Sequence, residues 1–357
     1  MFVKISKAII VVSILFLVVV FTFYLSYKTS FVIKKINNND TITCSVLLYS
    51  TGNVLPSLLN CYQVSYNKNY NCLKVLSINT DIALLRKYKK SKSLKNFFYE
   101  NLNKGVESSI ENFYTGLSEL LKGYKKSDFY INMSFESFLL MMADKDLNRM
   151  ILEDNFSNKD LKSLNNLDVL EHTLKLMPYR AINVFKQYNL LNTNIPKMSF
   201  LALLTKFTTK SPLIMFCELP VKYTTARVEL DVQNAEEFLN KVYYVDIDAD
   251  YNNKNCFVDI KNASGKPRMA QKVTWLLREN KFDVLDWSNF NTVYKRTLIK
   301  DFKGNFRKCL DVARILKTGK ILISYNNKLY YDISVCVGQD CNIYDNFDKV
   351  GGKGVKN

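Results

Sequence analysis

The alternation of apolar and polar residues divides the chain into an apolar N-terminal segment and two mixed regions. Residues 8–27 (AIIVVSILFLVVVFTFYLSY) contain no charge, proline or glycine, and Lys7 and Lys28 flank them. A helix of about 20 apolar residues spans the ~30 Å hydrocarbon core of a bilayer. A cleaved secretion signal is the alternative, but its apolar core would be about 7–15 residues long and would end at a small-residue cleavage site. The pattern predicts an uncleaved transmembrane anchor.

The lysines on both sides of this segment favour neither orientation by the positive-inside rule. Because a seven-residue tail is easily left in the cytoplasm, we expect residues 1–7 inside the cell and the remaining chain outside. Residues 28–41 are polar and rich in lysine and asparagine, which is typical of a tether.

Residues 42–245 combine two hydrophobic periodicities. Short β-branched and aromatic runs predict strands, and apolar residues at helical spacing predict helices between them. The predicted strands are 42–49, 61–66, 72–79, 129–133, 213–218 and 227–231, and the predicted helices include 94–102, 106–121, 179–188 and 197–207. Ser134 is predicted to cap a helix that begins at Phe135, and Asn234 and Glu237 to form a capping box. This interleaving predicts an α/β domain with a helix-covered mixed sheet.

Residues 246–254 (DIDADYNNK) are polar and aperiodic, and they predict a linker between two domains. The following segment, 255–342, alternates strand and helix patterns in the order βαββαβ, which predicts a small α+β domain. A tight turn at 262–267 places Pro267 at the first position of a helix, and Gly265 is expected to supply an unusual backbone angle there. The tail 343–357 is predicted to be disordered.

Composition narrows the classes of partner. A hydrophobic fraction of 48% can fill two cores, which excludes a wholly disordered chain. The formal net charge is +17, but a domain outside a membrane rarely meets nucleic acid, so lipid headgroups and anionic wall polymers are the expected polyanions. The alternative is that the lysines reflect an A+T-rich genome and form an ordinary solvated surface.

Cysteine and histidine usage argues against several kinds of site. The eight cysteines suggest disulfides outside the cell, with Cys61–Cys72 and Cys336–Cys341 as candidate pairs, although most of the others resemble ordinary buried thiols. There is no CxxC motif, and His172 is the only histidine, so neither a zinc site nor a histidine-activated nucleophile is expected. No GxGxxG or complete phosphate-binding loop occurs.

The C-terminal segment resembles a known family. Val258–Ala270 (VDIKNASGKPRMA), the Phe282-Asp283-Val284 triplet and the closing run Ile333–Asp340 (ISVCVGQD) are similar to the pattern of the LytR C-terminal domain. That pattern has a strand ending in Asn-Gly/Ala-Ser-Gly, a helix, a Phe-Asp-Val strand and a hydrophobic-Gly-x-Asp ending. The corresponding motif residues in this chain are Asn262, Ser264, Gly265 and Pro267.

Such domains commonly follow a LytR-CpsA-Psr (LCP) catalytic domain, and residues 42–245 resemble a diverged one. Leu76–Asp81 (LSINTD) is similar to the Ser-Ile-Pro-Arg-Asp motif of the LCP family, and Asp128–Phe138 (DFYINMSFESF) to a later motif. The resemblance implies transfer of a glycan from a polyprenyl-pyrophosphate carrier to the cell wall. In that reaction, arginines, carboxylates and Mg²⁺ neutralise the charge that develops on the leaving group.

The charged positions of that motif are largely absent from this sequence. Asp81 alone matches, Thr80 stands where an arginine is expected, and Arg86 and Arg180 are the candidate replacements for binding the anion. A lone aspartate after a strand is also typical of a turn.

Three hypotheses remain open. The chain is a non-catalytic LCP-like envelope protein that binds polyprenyl-pyrophosphate lipids, anionic wall glycans or envelope proteins. Alternatively, it is an active phosphotransferase using Mg²⁺, or a structural module that docks partners through its C-terminal domain. The non-catalytic hypothesis implies no cofactor.

Overall fold

A computed structural model of the chain describes residues 30, 34, 38, 41–51, 56–67, 71–84, 92–121, 127–134, 136–138, 184–209, 213–225, 227–243 and 256–343. Within these ranges, no helix is both long enough and apolar enough to cross a bilayer. The expected anchor at 8–27, the linker at 246–254 and the tail at 344–357 lie outside them. So does the polar segment 148–168, which the sequence predicts to be irregular.

The described strands and helices are as follows. The strands are β1 (Ile42–Ser50), β2 (Ser57–Asn67), β3 (Cys72–Ile78), β4 (Ile82–Leu84), β5 (Lys92–Ser93), β6 (Phe129–Ser134), β7 (Asn192–Thr193), β8 (Leu213–Glu218), β9 (Val221–Tyr223), β10 (Val228–Leu230), β11 (Phe257–Asn262), β12 (Asp283–Asn289), β13 (Leu298–Asp301), β14 (Lys320–Ile323) and β15 (Ile333–Val337). The helices are α1 (Leu94–Glu100), α2 (Val106–Leu120), α3 (Lys197–Thr209), α4 (Val232–Phe238), α5 (Met269–Glu279) and α6 (Phe306–Leu316).

The chain forms two compact units, each with discontinuous sequence. One comprises residues 1–73 and 125–214, and the other comprises residues 74–124 and 215–357. Both are mixed α/β structures, in agreement with the predicted class.

In the first unit, β1 lies between an antiparallel and a parallel neighbour. It pairs with β2 from Ile42–Tyr66 to Ser50–Ser57, and with β6 in parallel from Cys44–Phe129. β7 then pairs antiparallel with β6. Asp128, which directly precedes β6, ties the start of that strand to β1, because its Oδ2 accepts hydrogen bonds from the Thr43 N–H (2.8 Å) and hydroxyl (3.1 Å).

The second unit contains a mixed sheet in which the strand order is β12-β11-β15-β13-β14-β8. β11 is parallel to both of its neighbours, and β13 is antiparallel to β15. A separate four-stranded sheet has the order β5-β4-β10-β9.

Two amphipathic helices cover the sheet formed by β11 to β15. The residues of α5 and α6 that face the sheet recur at helical spacing, which is the pattern that predicted both helices. With the strands they enclose one apolar core, whose fully buried helix residues are Met269, Val273, Leu277, Cys309 and Val312.

Two expectations about helix starts differ from the observed fold. α5 begins at Met269, and Arg268 precedes it with a left-handed φ of 60°, so Pro267 lies in the turn rather than at the first helical position. α4 begins at Val232 with Asp231 as its N-cap, because the Asp231 carbonyl accepts the first helical hydrogen bond, from the Ala235 N–H at 2.7 Å. Asn234 lies inside the helix, and its amide donates to Asp231 Oδ2.

The predicted βαββαβ order lacks one strand. β14, with the sequence KILI, pairs in parallel with β13, so the observed order is βαββαββ. The sequence did not predict β14 because it has only four residues and begins shortly after the end of α6. A run that short does not distinguish a strand from the end of a helix. The sequence pattern predicts the third strand of this order at 293–299, but the observed strand, β13, covers only 298–301.

All eight cysteines are free thiols, so the candidate pairs Cys61–Cys72 and Cys336–Cys341 are not bonded. Every cysteine except Cys44 is buried. Burial raises the pKa of the Cys256 and Cys341 thiols to about 12, which keeps them protonated. Thiols in this state react slowly with oxidants and alkylating agents.

Candidate functional site

Asp81, the residue matched to the LCP motif, lies in the turn between β3 and β4. Its side chain is exposed. Its backbone N–H donates to Asn79 Oδ1 at 3.0 Å, which is the hydrogen bond of an Asx turn. The neighbouring Thr80 carbonyl accepts a hydrogen bond from the N–H of Lys95 at 2.7 Å. These contacts give the Asn79–Asp81 segment a structural role in the turn that leads into β4.

The two speculative binding residues, Arg86 and Arg180, lie outside the described residues. Across the described parts of the chain, no group of three or more histidine, cysteine or acidic side chains is arranged to hold a metal ion.

The turn at the end of β11 contains the four residues whose sequence resembles the LytR C-terminal pattern. Asn262 Oδ1 accepts hydrogen bonds from the Ser264 N–H (3.2 Å) and hydroxyl (2.7 Å), and Asn262 Nδ2 donates to the Lys266 carbonyl (2.8 Å). The Lys266 N–H donates to Ser264 Oγ at 3.0 Å. The polar side chains of this motif therefore bond to one another's backbone and shape the turn.

Gly265 occupies the left-handed region, with φ of 72°, as the sequence predicted. A Cβ at this position would lie 3.4 Å from Val293 Cγ2, so the backbone angle, more than crowding, requires the glycine. Pro267 and Gly265 are both exposed at the surface of the turn.

A groove opens at the other end of β11, between the C-terminus of α5 and one side of α6. It has a volume of about 650 Å³, and ligand cavities are commonly about 300–1,000 Å³. Its lining residues are Cys256, Asn280, Lys281, Phe282, Lys308, Asp311, Arg314 and Ile315. We call this feature the α5–α6 groove.

The α5–α6 groove combines cationic walls with apolar side chains. Lys281, Lys308 and Arg314 contribute three positive charges, and Asp311 contributes one negative charge. Asp311 Oδ1 lies 3.3 Å from Arg314 Nη1, but both side chains are solvent-exposed, so this ion pair is weak. The Lys308 ammonium lies 5.9 Å from the centre of the Phe282 ring.

Sequence reasoning did not identify this groove. Lys308, Asp311 and Ile315 follow the spacing of one helix face, which was available from the sequence. Nothing in the sequence links that face to Lys281, which is 27 positions before Lys308. Only the packing of α5 against the sheet brings the two together.

Asp301 is a buried carboxylate close to this region of the second unit. Its side chain is fully buried, and Oδ1 accepts hydrogen bonds from the Lys303 N–H (3.0 Å) and the Gly304 N–H (2.7 Å). Oδ2 has no hydrogen-bond partner among the described residues. Burial is the main cause that raises the pKa of Asp301 to about 6, and the charge of Asp332 adds to it. Its bonds lie within the turn after β13, so we assign it a structural role.

Comparison with known proteins gives remote structural neighbours only. No family model and no curated protein matches the chain. Among solved structures, it is similar to Lin1025 of Listeria innocua (12% identity, TM-score 0.41, covering 56% of this chain and 95% of that one). It is also similar to gbs0355 of Streptococcus agalactiae (11%, 0.44, 58% and 88%) and to TagT bound to LIIa-WTA (10%, 0.40, 57% and 89%). Because these TM-scores are below 0.5, they carry no argument about function.

Proposed function

We propose that the chain is a membrane-anchored envelope protein that binds an anionic lipid or glycan outside the cell without transferring it. One observation carries the absence of transfer in this proposal: Asp81, the single residue that matches the charged LCP motif, lies in an Asx turn with Asn79. A carboxylate that served a metal-dependent transfer would need cationic and acidic partners around it. Among the described residues, the hydrogen bonds of this turn connect β3 to β4 and to the start of α1.

The proposed location outside the membrane rests on the apolar segment 8–27. It is compatible with cysteines that form no disulfides. Segment 8–27 has the length and composition of a bilayer-spanning helix. An oxidising compartment favours disulfides, yet all eight cysteines are free. Seven of the eight are buried, which protects them from oxidation in either compartment.

The function is tested with the full-length chain in nanodiscs of neutral lipid. The probe is a short-chain prenyl pyrophosphate, added with and without Mg²⁺, and both binding and release of the prenyl product are measured. The proposal expects saturable binding that does not depend on Mg²⁺, with no product. Product release that requires Mg²⁺ would overturn it and support the phosphotransferase alternative. Absence of binding would also overturn it and favour the docking module.

The location is tested separately by deleting residues 8–27. The full-length protein is expected in the membrane fraction after alkaline washing, and the deletion variant in the soluble fraction. Protease added to intact cells without a wall should degrade the full-length protein. Protection from that protease would contradict the proposed orientation.

A further inference from the structure

The α5–α6 groove has the electrostatic character of an anion site. Its three cations and one acid leave a formal excess of two positive charges around a cavity of about 650 Å³. Lys281 and Arg314 are exposed, so their charges reach the solvent at the mouth of the groove. A concave surface lined by one sign of charge concentrates ions of the opposite sign.

The C-terminus of α5 does not offset this charge. The last carbonyls of a helix carry partial negative charge, which repels an anion. Here the carbonyls of Leu276, Leu277 and Arg278 accept hydrogen bonds from the backbone N–H groups of residues 280–282. Lys281 directly follows with a left-handed φ of 65°, at a position where glycine is the usual residue. Lys281 lines the groove beside this helix end, so its positive charge compensates the partial negative charge of the helix C-terminus.

The apolar part of the groove indicates a second property of the ligand. Phe282 and Cys256 are buried, and Ile315 is half-buried beside them. The Lys308 ammonium lies over the Phe282 ring, so a cation and an apolar surface are adjacent in the same cavity. A small, fully hydrated anion would use the cations alone, whereas an anion with a hydrocarbon substituent would use both.

We propose that the α5–α6 groove binds a phosphate or pyrophosphate group that carries an apolar substituent. This inference deepens the proposed function and rests on it, because it names the binding site and the chemical class of the ligand. A lipid phosphate and a soluble organic phosphate share this chemistry, and the two sources are separated by the probes below.

The first test compares two variants of equal charge. Lys281→Gln/Lys308→Gln removes two cations from the groove, and Lys295→Gln/Lys328→Gln removes two exposed cations that do not line it. Binding of the short-chain prenyl pyrophosphate to the full-length chain in neutral nanodiscs is measured by calorimetry. Each groove cation is worth about fivefold in affinity, so we expect about a 25-fold loss for the first variant and less than a twofold loss for the control. Equal losses would overturn the assignment of the groove.

The second test uses a substitution that should strengthen binding. Asp311→Asn removes the negative charge of the groove while keeping the shape of the side chain. We expect affinity for the same probe to rise about threefold to fivefold at low salt, and this gain to shrink as salt increases. Damage to the fold would weaken binding instead. Weaker or unchanged binding would therefore count against the proposal.

Two further probes identify the ligand source. Inorganic pyrophosphate is expected to bind about tenfold more weakly than the prenyl form, and equal affinity would overturn the apolar part of the proposal. Vesicles containing a lipid phosphate should compete for the groove if the ligand is membrane-bound. If the wild-type chain binds the prenyl probe but the groove variant binds it equally well, the groove assignment falls and the proposed function stands. If no form of the chain binds any probe, both fall.

Discussion

The carboxylate of Asp340 lies 2.7 Å from the backbone nitrogen of Thr297 and 2.8 Å from its hydroxyl oxygen, both through Oδ1. Its other oxygen, Oδ2, accepts a hydrogen bond from the Thr318 hydroxyl. Thr297 directly precedes β13, and Thr318 lies between α6 and β14. The aspartate of the Gly-x-Asp ending therefore ties three segments of the C-terminal region together.

Substitution of Asp340 should destabilise the protein. Asp340→Ala leaves the N–H of Thr297, a fully buried residue, without its acceptor, and we expect a loss of about 3 kcal/mol in unfolding free energy. Asp340→Asn keeps an oxygen for Thr297 and should lose about 1 kcal/mol. Urea denaturation of the full chain followed by tryptophan fluorescence measures both. Equal losses for the two variants would show that the charge, rather than the acceptor, is what matters.

Gly338 of the same ending is required for a different reason. A Cβ on Gly338 would lie 2.3 Å from the backbone carbonyl carbon of Arg296, and the backbone cannot move aside without displacing β13. We expect Gly338→Ala to cost about 3 kcal/mol or more, or to prevent folding. Gly265→Ala is the matched control, since its Cβ would meet only Val293 at 3.4 Å and should cost about 1 kcal/mol. Similar midpoints for the two variants in urea would contradict this explanation.

The Gly-x-Asp ending also shows how far the sequence could predict the fold. The apolar stripes of α5 and α6 and the alternation of β11 specified those elements, because their buried faces follow regular periods. The roles of Gly338 and Asp340 depend on Arg296, Thr297 and Thr318, about 20 to 40 positions away. Local periodicity carries no information on which distant backbone a residue will meet.

Lys74 is a buried cation that holds the end of a helical segment. Its ammonium donates to the carbonyls of Val242 (2.8 Å) and Tyr243 (3.1 Å), which end the π-helical stretch Leu239–Tyr243 after α4. Lys74→Met keeps most of the side-chain volume but leaves these carbonyls without this donor, so we expect a loss of about 2 kcal/mol. Lys92→Met, at a partly exposed ion pair with Glu100, should lose less than about 1 kcal/mol. Hydrogen exchange at residues 239–243 should increase only in the Lys74 variant.

Asp301 predicts a specific dependence of stability on pH. In the folded state the pKa of Asp301 rises from 3.8 to about 6. At a pH between these two values, the folded chain therefore holds a proton on Asp301 that the unfolded chain has released. Its contribution to stability is therefore greatest below pH ~4 and is lost as pH rises to ~6, by about 3 kcal/mol. Asp301→Asn resembles the protonated form, and it should match the wild type near pH 4 and be more stable above pH 6. Urea midpoints measured from pH 4 to 7.5 test this, and a constant difference across that range would contradict it.

The ionisable groups near Asp301 do not reverse the direction in which stability changes with pH. Asp332, Cys309, Cys256 and Tyr325 interact electrostatically with it. The thiols and the phenol stay neutral over this range, because burial raises their pKa values further above it. Asp332 adds negative charge and so favours protonation of Asp301. Asp332→Asn should therefore reduce the slope of the pH dependence without abolishing it.

The candidate site was less predictable than the fold. The resemblance to the LCP family directed attention to Asp81 and to the Asn262–Pro267 turn, and in both places the side chains or backbone groups bond within a turn. The α5–α6 groove arises from residues of two helices and a loop that share no motif. A charged groove of this kind is a property of packing, so a search for sequence motifs would not identify it.

The position of β15 determines when the C-terminal region can fold during synthesis. β15 is the last described strand in the chain, yet it lies between β11 and β13 and pairs with both. Its partner β11 is about 75 positions earlier, so a growing chain exposes both flanking strands before their shared neighbour has been made. A ribosome-bound or partly exported chain that ends before Ile333 therefore presents two open strand edges, which are sites for mispairing and chaperone binding. The pairing of β11 and β13 with their shared neighbour can therefore form only after Ile333–Val337 has been synthesised.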